Sequence, residues 1–248
     1  MNFPELARAV ERLETRHMTL YAAGGGEVFE AGEVRAVYCG DGVPVNVGIG
    51  FGDAAQSAAR LPEVEAFLQA RGAAPAVVAY SHLSPQLLSV LGERNYRLSR
   101  ILHVHARELK GEIRAPALPA RQADSDEWLA CAVASFGEEN RRIMALTATR
   151  PQTTRWVCEQ GGELLGVAAL TVAGGLALLF SAGTRQGTRG RGAQTALLAA
   201  RLEYAREQGA TFAAVMTVPG SSSERNALRA SFWPLCARLS FARQFIPA

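Results

Sequence analysis

Arg189-Gly190-Arg191-Gly192-Ala193-Gln194-Thr195 is the stretch of this chain best suited to hold an anion. Glycines let neighbouring backbone amides close around a charged group, and a helix starting there adds the positive end of its dipole. Arg189 and Arg191 bring guanidinium charge to the same turn. The stretch lies between the apolar run Leu176–Phe180 and the Ala/Leu-rich segment Ala196–Glu207. A strand, a Gly/Arg turn and a helix in that order make a seat for a phosphate-bearing cofactor. A dinucleotide fingerprint needs three glycines at fixed spacing and an acidic residue about 20 positions on. Neither this turn nor Gly48-Ile49-Gly50-Phe51-Gly52 supplies that. A Walker loop needs Gly-Lys-Ser/Thr, and the only lysine, Lys110, lies elsewhere.

The elements around the turn can be read from periodicity. Asn2–Met18 has apolar residues at helical spacing and predicts an amphipathic helix. Glu27–Gly40 predicts two short strands about a turn near Ala31-Gly32, and Val45–Phe51 another strand broken by glycines. Helix Leu61–Arg71, strand Ala76–Tyr80, helix Gln86–Gly92 and strand Tyr96–Leu109 follow. Gly111–Arg121, with Pro116 and Pro119, is the best candidate boundary, which divides the chain into 1–110 and 111–248. Beyond it, Asp124 can cap a helix Ser125–Phe136, and the polar segment Glu138–Arg150 contains a shorter one. Thr154–Glu159 and Glu163–Leu170 form a hairpin about Gly161-Gly162, and strand Gly175–Ala182 feeds the glycine turn. Helix Gln194–Gln208, strand Phe212–Val218, helix Ser222–Ala230 and strand Arg238–Phe245 complete the chain. The two halves thus repeat one order of elements, on pattern rather than on identity.

The segment Ala182–Leu198 resembles the acetyl-CoA loop of the GNAT N-acetyltransferase superfamily, whose pattern is Arg/Gln-x-x-Gly-x-Gly/Ala. Arg189 and Gly192 occupy its first two fixed places. Gln194 stands where a small residue is usual, as in a bacterial branch where a glutamine precedes a Ser/Thr-Ala-Leu-Leu run. Pro219–Phe232 resembles the family's later Ser-x-Arg-Asn-x-x-x-x-x-Gly-Phe motif, with Asn226 at a position that often contacts the cofactor and Ser231 in place of the glycine. The following Trp233–Arg238 reads as a longer link to the last strand than the family usually has. Leu61–Gly72 and Ser84–Arg97 are similar to the N-terminal region of the same branch, a half-length module without the phosphate loop.

The resemblance implies an α/β fold with a mixed sheet, in two tandem GNAT-like halves of which the first is degenerate. It implies acetyl-CoA as co-substrate, with no metal. Ala182, Gly183 and Thr184 would run along its pantetheine arm. Arg189, Gly190, Arg191, Gly192, Ala193, Gln194 and Thr195 would hold its pyrophosphate, with Asn226 beside the arm. An amine of a small molecule or a protein would attack the thioester directly. Many members use a tyrosine near the start of the last strand as the acid; Phe241 stands at that place and cannot donate a proton. Glu138 and Glu139 lie where the family borders its acceptor, although adjacent carboxylates in a polar segment are more often a solvated face. Trp128 or Phe136 could line the acceptor pocket. In the first half, Val43–Gly48 lies where a loop would be but has no arginine, so that half is expected to hold no cofactor.

Composition bounds these readings. The 248 residues are 48% hydrophobic and 20% charged, enough apolar material for two cores. A net charge of only +3, with no dense basic stripe, argues against nucleic acid and against a transferase fed by aminoacyl-tRNA. Cys39, Cys131, Cys158 and Cys236 form no CxxC pair, and with no signal peptide at Met1–Val10 they read as reduced thiols of a cytoplasmic protein. His17, His82, His103 and His105 lack a metal-ligand pattern. No apolar run reaches the ~18–20 residues of a membrane span, and a monomer or homodimer is expected. An alternative function is a CoA-binding sensor or interaction module without turnover, which Gln194 and the missing tyrosine favour.

Overall fold

The structure, a computed structural model, describes residues 1–52 and 55–243. It divides into two compact units. Among the described residues, unit 1 comprises Met1–Val104, Thr217–Pro219 and those from Pro234 to Arg243; unit 2 comprises His105–Met216 and Gly220–Trp233. The expected boundary over Gly111–Arg121 lies just past the Val104/His105 junction.

Unit 1 opens with α1 (Phe3–Thr19). Asn2 caps it by accepting from the Glu5 amide, and Glu5 accepts in return from the Asn2 amide, both at 3.0 Å. Strands β1 (Glu27–Ala31) and β2 (Val34–Tyr38) form an antiparallel hairpin about Gly32, whose φ of +63° suits glycine. The strand expected over Val45–Phe51 contracts to β3 (Val47–Ile49). Gly50 turns the chain there with φ +86°, in a space where a Cβ would meet the Glu33 carbonyl oxygen at 2.4 Å. Helices α2 (Ala55–Ala58) and α3 (Leu61–Gln69) lead to β4 (Ala76–Tyr80), which pairs with β3 in parallel. Helix α4 (Pro85–Glu93), capped by Ser84, precedes β5 (Tyr96–Glu108).

The last described strand, β11 (Trp233–Arg243), holds a correction. Trp233–Arg238 is the first half of a strand, not a link, and from Arg238 to Ala242 it pairs antiparallel with β4. Its phenylalanine, Phe241, is buried in the core of unit 1 with Leu61, Val64, Leu68, Val77, Leu87 and Leu91. Of the strand expected over Arg238–Phe245, Gln244 and Phe245 lie outside the described residues.

Unit 2 begins with the end of β5; Leu109 donates to Thr211 beside the strand β10 (Phe212–Thr217) at 2.8 Å. Strand β6 (Ala120–Gln122) falls at the end of the stretch read as a boundary, and three residues are too few to show alternation. Next come α5 (Ser125–Phe136), α6 (Arg141–Thr149), β7 (Thr154–Gln160), β8 (Glu163–Ala173) and β9 (Leu176–Thr184). Strands β6 to β9 form an antiparallel meander, and β9 then pairs with β10 in parallel. The crossover between them is α7 (Ala193–Glu207), and α8 (Ser222–Arg229) follows β10. Each unit thus has an antiparallel meander ending in one parallel pair joined through helix, as a short βαβ crossover requires. Arg201 on α7 is buried, and its guanidinium donates to the Leu197 and Ala169 carbonyls. Burial alone pulls its pKa down to about 9. Among the described residues no helix is long and apolar enough to cross a membrane.

Unit 1 also contains a buried carboxylate with a clear electrostatic role. Burial pushes the Glu65 carboxyl up, but hydrogen bonds from Arg94 and the charges of Arg243 and Arg94 outweigh it and hold the pKa below the ordinary range. A depressed carboxyl stabilises the fold above its unfolded pKa and loses that contribution as pH falls through the folded value. Glu65→Gln should lower unfolding free energy at pH 7 by about 2 kcal/mol. In urea titrations across pH, that difference should shrink below the ordinary glutamate pKa of ~4.3.

Candidate functional site

The site grows from an irregularity in β9. Val167 of β8 stands opposite Gly183, and Ala169 opposite Phe180, so β9 carries one extra residue across this interval. This is a β-bulge, and Ser181 within it adopts φ +47°. Strand β10 keeps register with β9 only from Phe212↔Leu176 to Val215↔Leu179. Beyond Leu179 the two part, and the edge of β9 at Ala182–Thr184 borders a cavity of about 570 Å³. That volume lies within the ~300–1,000 Å³ of small-molecule sites.

The turn after β9 is pinned before it reaches the cavity. The Arg185 amide and guanidinium donate to the Leu165 and Leu164 carbonyls of β8, both at 2.9 Å. The Thr188 hydroxyl donates to Leu165 O at 2.9 Å, and its amide to Arg185 O at 3.1 Å. From Arg189 the pattern changes. Gly190 and Gly192 take φ values of +82° and +89°, and α7 starts at Ala193 without a side-chain cap. Its first ladder bond is Ala196 N to Gly192 O at 3.1 Å. Among the described residues, none of the amides from Arg189 to Thr195 has an acceptor. A helix start leaves such donors over, and its dipole makes them a seat for negative charge.

Every residue expected to hold the cofactor lines the cavity except Arg191. Its guanidinium is drawn to the β7–β8 turn, bonding Glu163 at 2.7 Å and Gln160 at 2.7 Å and 3.2 Å. The expectation that both arginines charge one spot is therefore corrected: Arg189 does so and Arg191 braces a hairpin. A carboxylate within reach of a flexible side chain decides the matter. Gln194 fills its unusual place by donating from its amide to the Thr184 hydroxyl at 2.9 Å, tying α7 to β9. Asn226 lines the cavity from α8, accepting from Arg229, which also lines it. Arg225 instead folds back onto the Gly220 carbonyl at 2.8 Å.

Sequence reasoning missed Arg229, Ser222, Ser223, Thr188 and Ser135. Arg229 was detectable as the residue one helical turn beyond Asn226. Phe136 lines the cavity, whereas Trp128 is in the core, donating to Ala168 O at 2.9 Å. Glu138 and Glu139 are exposed and do not line the cavity, and hydrogen bonds from Arg141 hold the Glu138 carboxyl below the usual range. Burial pushes the Cys131 and Cys158 thiols up. In unit 1, Cys236 is pushed up to about 12 by burial and by Glu11 and Glu14. None of these thiols is poised as a nucleophile.

Comparison with known proteins gives the family of one segment and the fold of the chain. Residues 120–225, from β6 into α8, match the Acetyltransferase (GNAT) family. That segment is a GNAT-family domain. A GCN5-related N-acetyltransferase from Kribbella flavida superposes with a TM-score of 0.70 at 17% identity, over 96% of both chains. One from Sphaerobacter thermophilus gives 0.62 at 18% identity, over 90% of this chain and 78% of that one. A tandem GNAT protein from the clavulanic acid biosynthesis pathway gives 0.62 at 12% identity, over 97% of this chain and 96% of that one. The chain has the GNAT fold along nearly its whole length. No curated protein matches in sequence.

The GNAT-domain cavity depends on a glycine for its wall. A Cβ on Gly183 would lie 2.7 Å from Phe136 Cζ and 3.0 Å from Ser135 Cβ. Gly183→Ala should cost about 1–3 kcal/mol in chemical unfolding. A double-mutant cycle with Phe136→Leu should recover part of that loss, because the shorter side chain vacates the contested space.

Proposed function

We propose that this chain is an acetyl-CoA-dependent N-acetyltransferase acting on an amine of a small molecule or a protein. The observation that supports it most is the run of acceptor-free amides from Arg189 to Thr195 beside a parted strand pair. The donor set suits CoA: amides and Arg189 for its diphosphate, Arg229 and Asn226 along its length, and an open strand edge for the amides of its arm. An extended polar chain can add to such an edge as a strand does. In this reading residues 111–248 hold the cofactor, and 1–110 are a degenerate GNAT-like half without a cofactor loop. Asn46 fits that division: its side chain accepts from Cys39 N and donates to Gly40 O, both at 2.7 Å, so it braces a turn. The protein would work in the cytoplasm of a bacterium.

Acetyl-CoA, when bound, supplies an acetyl thioester. The chain's own residues then hold the reactants together, a source of up to ~7–11 kcal/mol of barrier reduction. A β9 amide at the cavity can donate to the carbonyl oxygen; such a donor is worth about 3–4 kcal/mol. Ser135, Ser222 and Ser223 bring hydroxyls to the cavity from which a proton can reach the departing thiolate, directly or through water. The amine would attack in its neutral form, and the proton its nitrogen loses on forming the amide would replace the one passed to the thiolate.

A second reading, a CoA-binding module without turnover, is favoured by Phe241, which is packed in the core of unit 1. Thiol release from acetyl-CoA across an amine panel separates the two: turnover supports the enzyme, and binding without release supports the module. Both require that CoA raise unfolding free energy by about 2.7 kcal/mol at a hundredfold excess over Kd. In calorimetric titrations Arg189→Ala should weaken CoA about tenfold, the loss of one charged hydrogen bond. Arg191→Ala should leave affinity within about twofold, since its guanidinium is already engaged. Equal losses would contradict the assignment.

A further inference from the structure

Unit 1 contains a cavity of its own, about 350 Å³, that the proposed acetyl transfer does not use. Its wall is one face of α1, where Arg8, Arg12 and Arg16 follow at intervals of four, with Arg35 of β2 also lining it. Intervals of four place side chains one above another on a helix, and like charges so placed repel. Of the three carboxylates that line the cavity, Glu11 and Glu30 are already engaged. Glu11 accepts from the Gly52 amide at 3.0 Å and meets His82 Nε2 at 2.6 Å. Glu30 pairs with Arg35 at 3.2 Å. Glu33 lies exposed at the rim, and among the described residues neither the Arg12 nor the Arg16 guanidinium has an ion pair or hydrogen bond.

The backbone is shaped around this space. Gly50, at the end of β3, lies so close to Thr15 and Glu33 that a Cβ would meet Thr15 Cγ2 at 2.9 Å. The hollow is therefore walled by α1 on one side and the β3 turn on the other, with positive charge left over along its mouth. Guanidiniums bind carboxylates and phosphates in two-pronged fashion, and a pair one turn apart can share one multiply charged ligand.

We propose that this cavity is a second ligand site, for a small polyanion carrying carboxylate or phosphate groups, held chiefly by Arg12 and Arg16. The inference stands apart from the CoA reading, because every residue in it belongs to unit 1. The test is calorimetric titration of the full chain with citrate and, separately, inorganic phosphate, each repeated with CoA at saturation. Citrate should bind with CoA present, and an Arg12→Gln/Arg16→Gln double variant should bind it about tenfold more weakly or not at all. That variant's unliganded melting temperature should stay near the parent's, since both side chains are exposed. Arg189→Ala should leave citrate binding unchanged. Binding of phosphate alone would narrow the class to phosphate-bearing ligands. Failure of both anions to bind, unchanged affinity in the double variant, or competition between citrate and CoA would each overturn the second site.

Discussion

The extra residue in β9 is the constraint from which the site follows. A parallel pair bonded along its full length would leave no edge for a ligand, because its amides and carbonyls would face each other. The bulge at Ser181 re-aims the strand after Leu179, and β10 cannot follow. The unpaired edge so created lies next to the start of α7, whose first amides also have no acceptor. Two sets of backbone donors, one from a strand and one from a helix, thus border a single hollow. Arg189 to Gly192 and Thr195 are exposed, so water can meet these donors wherever a ligand does not.

What surrounds the hollow keeps it open. Thr188 and Arg185 tie the turn to the β8 backbone, which spares the next seven residues from having to stabilise themselves. Gln194 and Thr184 bridge helix and strand, so the residue that departs from the family pattern has a mechanical use here. Gly166 lets β8 approach closely, since a Cβ there would lie 2.5 Å from the Gly183 carbonyl oxygen. Arg191, withdrawn to Gln160 and Glu163, fixes the neighbouring hairpin to the start of α7. Charge at the cavity comes instead from Arg189 and Arg229, one from each helix region.

Much of this was legible in the sequence, and the exceptions have physical causes. Helices with a clear cap were read almost to the residue: Asp124 accepts from Asp126 and Glu127, and α5 runs Ser125–Phe136 as expected. Strand β4, a pure apolar run, also matched at both ends. The start of β11 was hidden because Pro234 and mixed burial disguise a strand whose role is set by its neighbours. Which strand that element would join was equally hidden: pairing with β4 is a long-range choice that no local pattern encodes. At the site, glycine spacing marked the backbone cradle, since backbone donors depend on conformation. Side-chain direction was another matter. Nothing in the spacing of Arg189 and Arg191 told which would face the cavity, because the deciding carboxylate, Glu163, is far away in the chain.

The central claim is that the amides from Arg189 to Thr195 grip a diphosphate while the edge of β9 takes the attached arm. Its most direct test is a crystal structure of the full chain with CoA. The account requires diphosphate oxygens within about 3 Å of several of those amide nitrogens, and the arm running beside Ala182–Thr184. Coenzyme bound elsewhere, with those nitrogens facing only water, would contradict it.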